Sequence, residues 1–451
     1  MSTLRFIFIL LATALLTSAA HAKHISNATT LVENVNVISW EGRQANVLTE
    51  QTIAIRNGVI VTVAADLTAP ASARVIDGKG GYVLAGFTEM HGHVPAAVSF
   101  AGMPKRYADD MLYLYLANGV TTVRGMLGYT NQLQLKEDIA SGHRLGPTLV
   151  LAGPSFNGNT VESPKQAAQR VLEHVNEGWD LLKIHPGLAL DEYRAVAAAA
   201  REVGIDFAGH VPVDVGIDVA MTEGQRTIDH LDGYLRYVDA IDRAITAEEL
   251  KQLVDMTVTS NMAVVPTQAL WATLIGAGDA AALAAYPELD LVPQQVREGW
   301  LNYYPSQGSS YFNTEHAAIQ QDNRQRLLKA LYDGGATIVF GTDAPQLFSV
   351  PGFSIHHEIR YMQDAGMPLE AIYYTATAAA ADYFAASHNL NIGLVKPGYQ
   401  ADFMLLRDNP LASAEALREP VGVMVRGQWL DRASINAKLR EIRAAYAVSG
   451  D

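Results

Sequence analysis

Two rhythms of apolar and polar positions divide this chain. Residues 47–56, 58–63 and 75–78 carry short apolar stretches broken by turn residues, with no helical period. Such text predicts β-strands. At Val83 the rhythm changes. Near-continuous apolar runs stand at 83–88, 121–124, 148–151, 181–184, 205–208, 226–228, 262–265 and 337–340. Between them lie amphipathic stretches such as SPKQAAQRVLEHVNEG and LDEYRAVAAAAREVG, most ending in Gly. Gly is the usual stop of a helix, because the residue after the last turn adopts a left-handed conformation. Apolar strands separated by helices predict a parallel sheet covered on both faces. Eight such units predict a closed α/β architecture, the (β/α)8 TIM barrel.

After the barrel the text returns to strands, in LVKPGYQADFMLLRD and VGVMVRGQWL. The two flanks can pair into one small domain. The expected division is a barrel at 85–389 and a composite β domain from 23–84 and 390–451. Residues 268–316 separate the seventh and eighth strands. That is too long for an ordinary connection and predicts a lid.

Composition narrows the classes. Lys plus Arg total 33 and Asp plus Glu total 47, for a net charge of −14. A nucleic-acid footprint or a polybasic membrane anchor needs the opposite sign. Cysteine is absent, which excludes disulfides, thiol nucleophiles and thiolate metal sites. Residues 1–22 read MSTLRFIFILLATALLTSAAHA. Arg5, the apolar run at 6–16 and Ala20-His21-Ala22 predict a cleaved export signal, leaving Lys23 as the first residue. The run is shorter than the roughly 20 residues of a membrane span. The expectation is a periplasmic or secreted protein, free of the membrane after cleavage.

Chemistry in such barrels gathers at the C-terminal ends of the strands. Those ends read Glu89-Met90-His91-Gly92-His93, Lys183-Ile184-His185, Gly209-His210, Asp229-His230 and Thr342-Asp343. His91 and His93 are two apart, so on a strand they share a face and can grip one metal. A lone histidine is usually a hydrogen-bonded core or surface residue. Here four of the 13 histidines fall at the ends of three proposed strands. Histidine and carboxylate without thiolate suit zinc or another borderline divalent ion. An ammonium cannot ligate a cation, and Lys183 could simply pair with Asp206 or Glu202. Burial near positive charge would instead free its amine. A neutral amine can capture CO2 as a carbamate, whose two oxygens could bridge two metals.

These residues resemble the amidohydrolase superfamily of metal-dependent hydrolases. The likeness is to the binuclear branch with a carboxylated lysine, near its imidazolonepropionase-like and Xaa-Pro dipeptidase-like members. It covers about residues 45–435. The family's His-x-His matches His91-Gly92-His93, and its strand-four lysine matches Lys183. Its fifth- and sixth-strand histidines match His210 and His230, and its strand-eight aspartate matches Asp343. The flanks are similar to that family's β-sandwich. The resemblance implies that His91, His93 and Asp343 bind one metal and His210 and His230 a second. Carboxylated Lys183 and a hydroxide would bridge them, with Asp343 as general base and then acid. The implied bond is an amide, dipeptide or cyclic-amide C–N bond in a small molecule. Glu89 stands where the family commonly has Asp. Gly125 follows Arg124 where the family has a carboxylate. Imidazolonepropionases lack the lysine, so Lys183 argues against that activity.

His185 shares the face of Lys183 and is a candidate for substrate contact. Tyr234, four after His230, could hold a substrate carboxylate or carbonyl. Arg124 could grip a carboxylate with its guanidinium fork. Trp271, Trp300, Tyr303 and Tyr304 in the long insertion could line a pocket or form a mini-core. A lactonase or phosphotriesterase could use the same metal pair. A silent binding protein would lack ligands, and a non-haem iron site would leave Lys183 without purpose. A homo-oligomer is compatible with this reading.

Overall fold

The computed structural model describes residues 23–24, 29–68, 70–95, 103–303 and 314–447. The expected export signal and Tyr304 lie outside them.

Eight parallel strands carry the centre: β1 (Phe87–Gly92), β2 (Val120–Gly125), β3 (Thr148–Leu151), β4 (Leu181–Ile184), β5 (Asp206–Gly209), β6 (Thr227–Asp229), β7 (Ala263–Val265) and β8 (Thr337–Ile338). Every residue of β1, β2 and β4 is buried, as continuous apolar text requires. The two helices whose sequences are quoted above begin and end where the sequence predicts, at Pro164–Glu177 and Leu190–Val203. Ser163 caps the helix Pro164–Glu177, accepting from the Gln166 amide, with Pro164 in the first turn. That helix buries Ala167, Val171 and His174 and stops at Gly178, with φ of 93°.

The eight strands form a three-stranded sheet, β1-β2-β3, and a five-stranded sheet, β4 to β8, rather than one continuous ladder. Individual backbone bonds join the two at both seams. Between β3 and β4, the Gly153 amide donates to the Leu181 carbonyl at 3.1 Å and the Phe156 amide to the Lys183 carbonyl at 2.8 Å. From β1 to the segment after β8, the Met90 amide donates to Phe340 at 2.8 Å. The Asp343 amide donates back to the His91 carbonyl at 2.7 Å. Strands as short as β8 leave few ladder positions, so the seams rest on single bonds.

Both flanks of the chain enter one mixed sheet of seven strands. Its order is Gln428–Asp431, Gly422–Val425, Phe403–Leu406, Arg74–Ala85, Thr30–Glu41, Gln44–Arg56 and Val59–Ala64. Phe403 lies opposite Ala85, so C-terminal and N-terminal text pair directly. Among the described residues both flanks thus share this one hydrogen-bonded sheet, beside the short pair Lys23–His24 and Leu67–Thr68. The long strands carry bulges between Val32 and Val37, which bend and twist them. The last helix, Arg432–Tyr446, is not part of the sheet. It packs on the helix Tyr107–Ala117, where the Tyr446 hydroxyl donates to buried Asp110 at 2.7 Å.

The described residues of the long insertion are largely helical rather than irregular. They form Gln268–Leu274, Ala280–Ala284 and Gln294–Tyr303. The last of these lies over the strand ends, and Gly299, Trp300 and Tyr303 line the cavity beneath it.

Candidate metal centre

The strand ends deliver their polar residues to one point. His91 is buried at the end of β1, with Nδ1 2.6 Å from Asp229 Oδ2. Its Nε2 stands 3.1 Å from Lys183 Nζ and 3.7 Å from Asp343 Oδ1. His93 Nε2 lies 2.6 Å from the same Asp343 oxygen. Donor atoms of His91, His93 and Asp343 all fall within 4.8 Å of one another. The His230 ring lies 4.4 Å from that of His91 and 4.5 Å from that of His210. His210 Nδ1 meets Asp232 Oδ2 at 2.6 Å, and His230 Nδ1 meets Thr267 Oγ1 at 2.8 Å. His185 lines the cavity, its ring 5.1 Å from that of His210.

Each histidine of the trio His91, His210 and His230 thus has one ring nitrogen anchored to a carboxylate or hydroxyl. Such anchoring fixes tautomer and orientation at metal sites. The other nitrogen of His230 is buried and has no hydrogen-bond partner. An orphaned buried imidazole nitrogen is costly unless something ligates it. The donor set therefore fits a divalent ion with nitrogen and oxygen ligands.

Charge states agree with that. Burial, then the neighbouring Lys183, holds His91 well below the usual imidazole range, and burial with nearby His91 does the same for His230. Burial pushes the Lys183 amine down to about 8. Glu89, also buried, is pushed up to about 8. It accepts from Thr342 N at 2.8 Å and Thr342 Oγ1 at 2.6 Å, tying β1 to the segment that carries Asp343.

Local backbone is strained to place these groups. His230, Leu231, Thr267 and Asp343 all have positive φ without being glycine. Such outliers concentrate where the surrounding structure forces a functional geometry. Gly209 has φ of 125°, and a Cβ there would lie 2.5 Å from the Ile184 carbonyl and 3.0 Å from Lys183 Cδ. Only glycine lets β5 pass the buried lysine.

The amidohydrolase family model matches residues 82–430, most of the chain. The chain belongs to the amidohydrolase family. By that membership it is a hydrolase of the class acting on carbon–nitrogen bonds. No curated protein sequence matches it. Solved structures of similar fold include a bottromycin amidohydrolase, 24% identical with a TM-score of 0.72, covering 92% of this chain and 90% of that one. A Xaa-Pro dipeptidase with methionine bound in its active site is 20% identical, with a TM-score of 0.67 and coverage of 89% and 99%. The ochratoxinase of A. niger is 16% identical, with a TM-score of 0.65 and coverage of 90% and 96%. At these identities the likeness speaks for the fold.

Two expected substrate contacts of this amidohydrolase do not reach its cavity. Arg124 is fully buried inside the strands. It donates to the Met90 carbonyl at 2.5 Å and lies 3.4 Å from both Asp229 oxygens. Its charge is used to hold the aspartate that holds His91, so it positions rather than binds. Tyr234 is also fully buried, and its hydroxyl bonds Thr257 at 2.8 Å, away from the cavity. The four-residue spacing from His230 misled because Tyr234 opens a new helix, Tyr234–Tyr237, and turns away. Neither alternative partner meets buried Lys183: Asp206 faces Arg226 at 3.4 Å, and Glu202 is exposed on the helix Leu190–Val203.

The residues that sequence reasoning missed are the anchors. Asp229 and Asp232 flank His230 in TIDHLDGY, and acidic residues interleaved with histidines at one strand end were a readable signal. Thr267 and Thr342 carry none.

Proposed function

We propose that this chain is an exported, metal-dependent amidohydrolase on a closed (β/α)8 barrel, cleaving an amide, dipeptide or cyclic-amide bond of a small molecule. The observation that carries the reading is the cluster itself. His91, His93 and Asp343 converge, Lys183 lies 3.1 Å from His91, and His230 has an unpartnered buried nitrogen. His91, His93 and Asp343 would hold one divalent ion, zinc by its donor set, and His210 and His230 a second. Lys183, carboxylated, would serve both. Bound there, such ions lower the pKa of water towards about 7 and polarise a carbonyl.

The protein's own groups supply the rest. Asp343 lies beside His93, and its second oxygen accepts from Gln346 at 3.2 Å. That leaves it placed to take a proton from an attacking water and return it to the leaving nitrogen. Asp229 and Asp232 keep His91 and His210 oriented through the cycle. The amine of Lys183, at about 8, has a neutral fraction near neutral pH, which carbamate formation requires. The helix Gln294–Tyr303 supplies Gly299, Trp300 and Tyr303 to the cavity wall. The leader at 1–22 supports delivery to the periplasm or the exterior. Among the described residues no helix is long and apolar enough to cross a membrane.

The test is metal stoichiometry on the mature protein, purified without chelators and loaded with zinc in bicarbonate. About two ions per chain are expected, falling to one or fewer in Lys183→Ala with hydrolysis of amides lost. Protein that stays metal-free, or a Lys183→Ala variant of normal activity, overturns the reading.

A further inference from the structure

Resting on the reading above, we propose that the substrate is electrically neutral and carries apolar groups on both sides of the scissile bond, a free carboxylate being rejected. The cavity over the cluster has a volume of about 580 Å3. A second lobe of about 380 Å3 adjoins it, with His93, Leu127, Trp300 and Gln346 shared between the two walls. Trp271, Leu274 and Leu347 line the first lobe, and Met103, Tyr107 and Val296 the second. A bond held beside His93 therefore has room, and an apolar wall, in two directions.

The walls are as notable for what they lack. Among the described residues neither lobe is lined by a lysine or arginine. The segments at 96–102, AAVSFAG, and 304–313, YPSQGSSYFN, contain none in sequence either. Two nearby guanidinium groups are already engaged, and Lys105, next along the chain from the second lobe, is exposed to solvent. Arg324, with its guanidinium 5.0 Å from the Trp271 ring, donates to the His230 carbonyl at 2.7 Å and the Pro266 carbonyl at 3.1 Å. Arg124 is locked on Asp229. Recognition of a substrate carboxylate ordinarily uses a guanidinium fork or an ammonium. Without one, a carboxylate seated in either lobe, away from the centre itself, loses its hydration and meets only neutral donors such as Tyr129, Gln295 and Gln346.

The test compares two ligands of equal size on the mature holoenzyme by calorimetry, N-benzoyl-L-phenylalaninamide and N-benzoyl-L-phenylalanine. They differ in one terminal group, amide or carboxylate. The amide is expected to bind at least tenfold more tightly. Leu274→Arg, which places a cation in the first lobe, is expected to move that ratio at least tenfold towards the acid. Equal or tighter binding of the acid by the unaltered protein overturns the proposal, as does binding of neither ligand. A ratio unmoved by a folded Leu274→Arg variant overturns the placement. Metal stoichiometry is read separately, so an enzyme with two ions that prefers the acid fails this inference and leaves the hydrolase reading standing.

Discussion

At the residue scale, Lys183 carries the most information. An ammonium with no solvent contact is destabilised, and burial is the largest cause of its shift from 10.5 to about 8. The folded pKa thus lies below the unfolded one, so between those values the unfolded chain binds more protons. Stability from this group therefore rises with pH through that window, and the penalty is fully present below about 8. In metal-free, bicarbonate-free protein, Lys183→Met is expected to be more stable than the parent at pH 6.5, by on the order of 2 kcal/mol. The gap should shrink as pH rises from 8 to 10. Urea unfolding at the two pH values checks it, and a gap that widens instead would show that the amine is not paying a burial cost. Lys183, the four histidines and Asp343 were legible because each occupies a strand end that the apolar rhythm marks. Which imidazole each anchor holds was not. Asp229 reaches across to His91, 138 positions away, and no local pattern records that pairing.

At the element scale, the first helix of the insertion is fastened by one carboxylate. Glu358, on the helix Ser354–Asp364, accepts from the Gln268 amide at 2.9 Å and the Ala269 amide at 2.8 Å. These are the first amides of the helix Gln268–Leu274, which carries Trp271 to the cavity wall. Burial pushes Glu358 up to about 7 despite those two bonds. Removing it leaves donors without an acceptor, each costing about 1–3 kcal/mol. Glu358→Ala is expected to lose about 2–4 kcal/mol on that basis, and KM should rise more than kcat falls as the wall loosens. Thermal unfolding and steady-state kinetics together check this; unchanged KM with lowered stability would place Glu358 in the framework alone. A second tie joins His357 Nε2 to Glu288 Oε1 at 2.6 Å, where Tyr286 stacks on the imidazole. Sequence length marked this segment as a lid, but its helices are short and patterned by neighbours, so they gave no clear period of their own.

At the scale of the whole molecule, the centre joins the two parallel sheets. His91, His93 and Asp343 lie across the seam between β1 and the segment after β8, while Lys183 and His210 stand at the ends of β4 and β5. A ligand that binds the folded state and not the unfolded one adds stability by mass action, about 4 kcal/mol at a thousandfold excess over Kd. Chelator-treated protein is therefore expected to melt several degrees below the loaded form, with recovery on adding zinc and bicarbonate. Far-ultraviolet dichroism should be unchanged, because the sheets are held by backbone bonds. Scanning calorimetry with and without chelator checks both; equal melting temperatures would mean that nothing bound across the seam.

The sequence by itself determined the alternation of strand and helix, the strand ends that hold chemistry, and the residue types gathered there. Those are local properties: apolar runs are buried, glycine stops helices, and side chains two apart on a strand face the same way. The tertiary structure alone decided which polar residues touch. It turned Arg124 and Tyr234 inward and gave Asp229, Asp232 and Thr267 their imidazoles. It also set the strand order of the one sheet that both chain ends enter. Each of these depends on contacts between segments far apart in the chain, where the cost of leaving a buried polar group unpaired selects the partner.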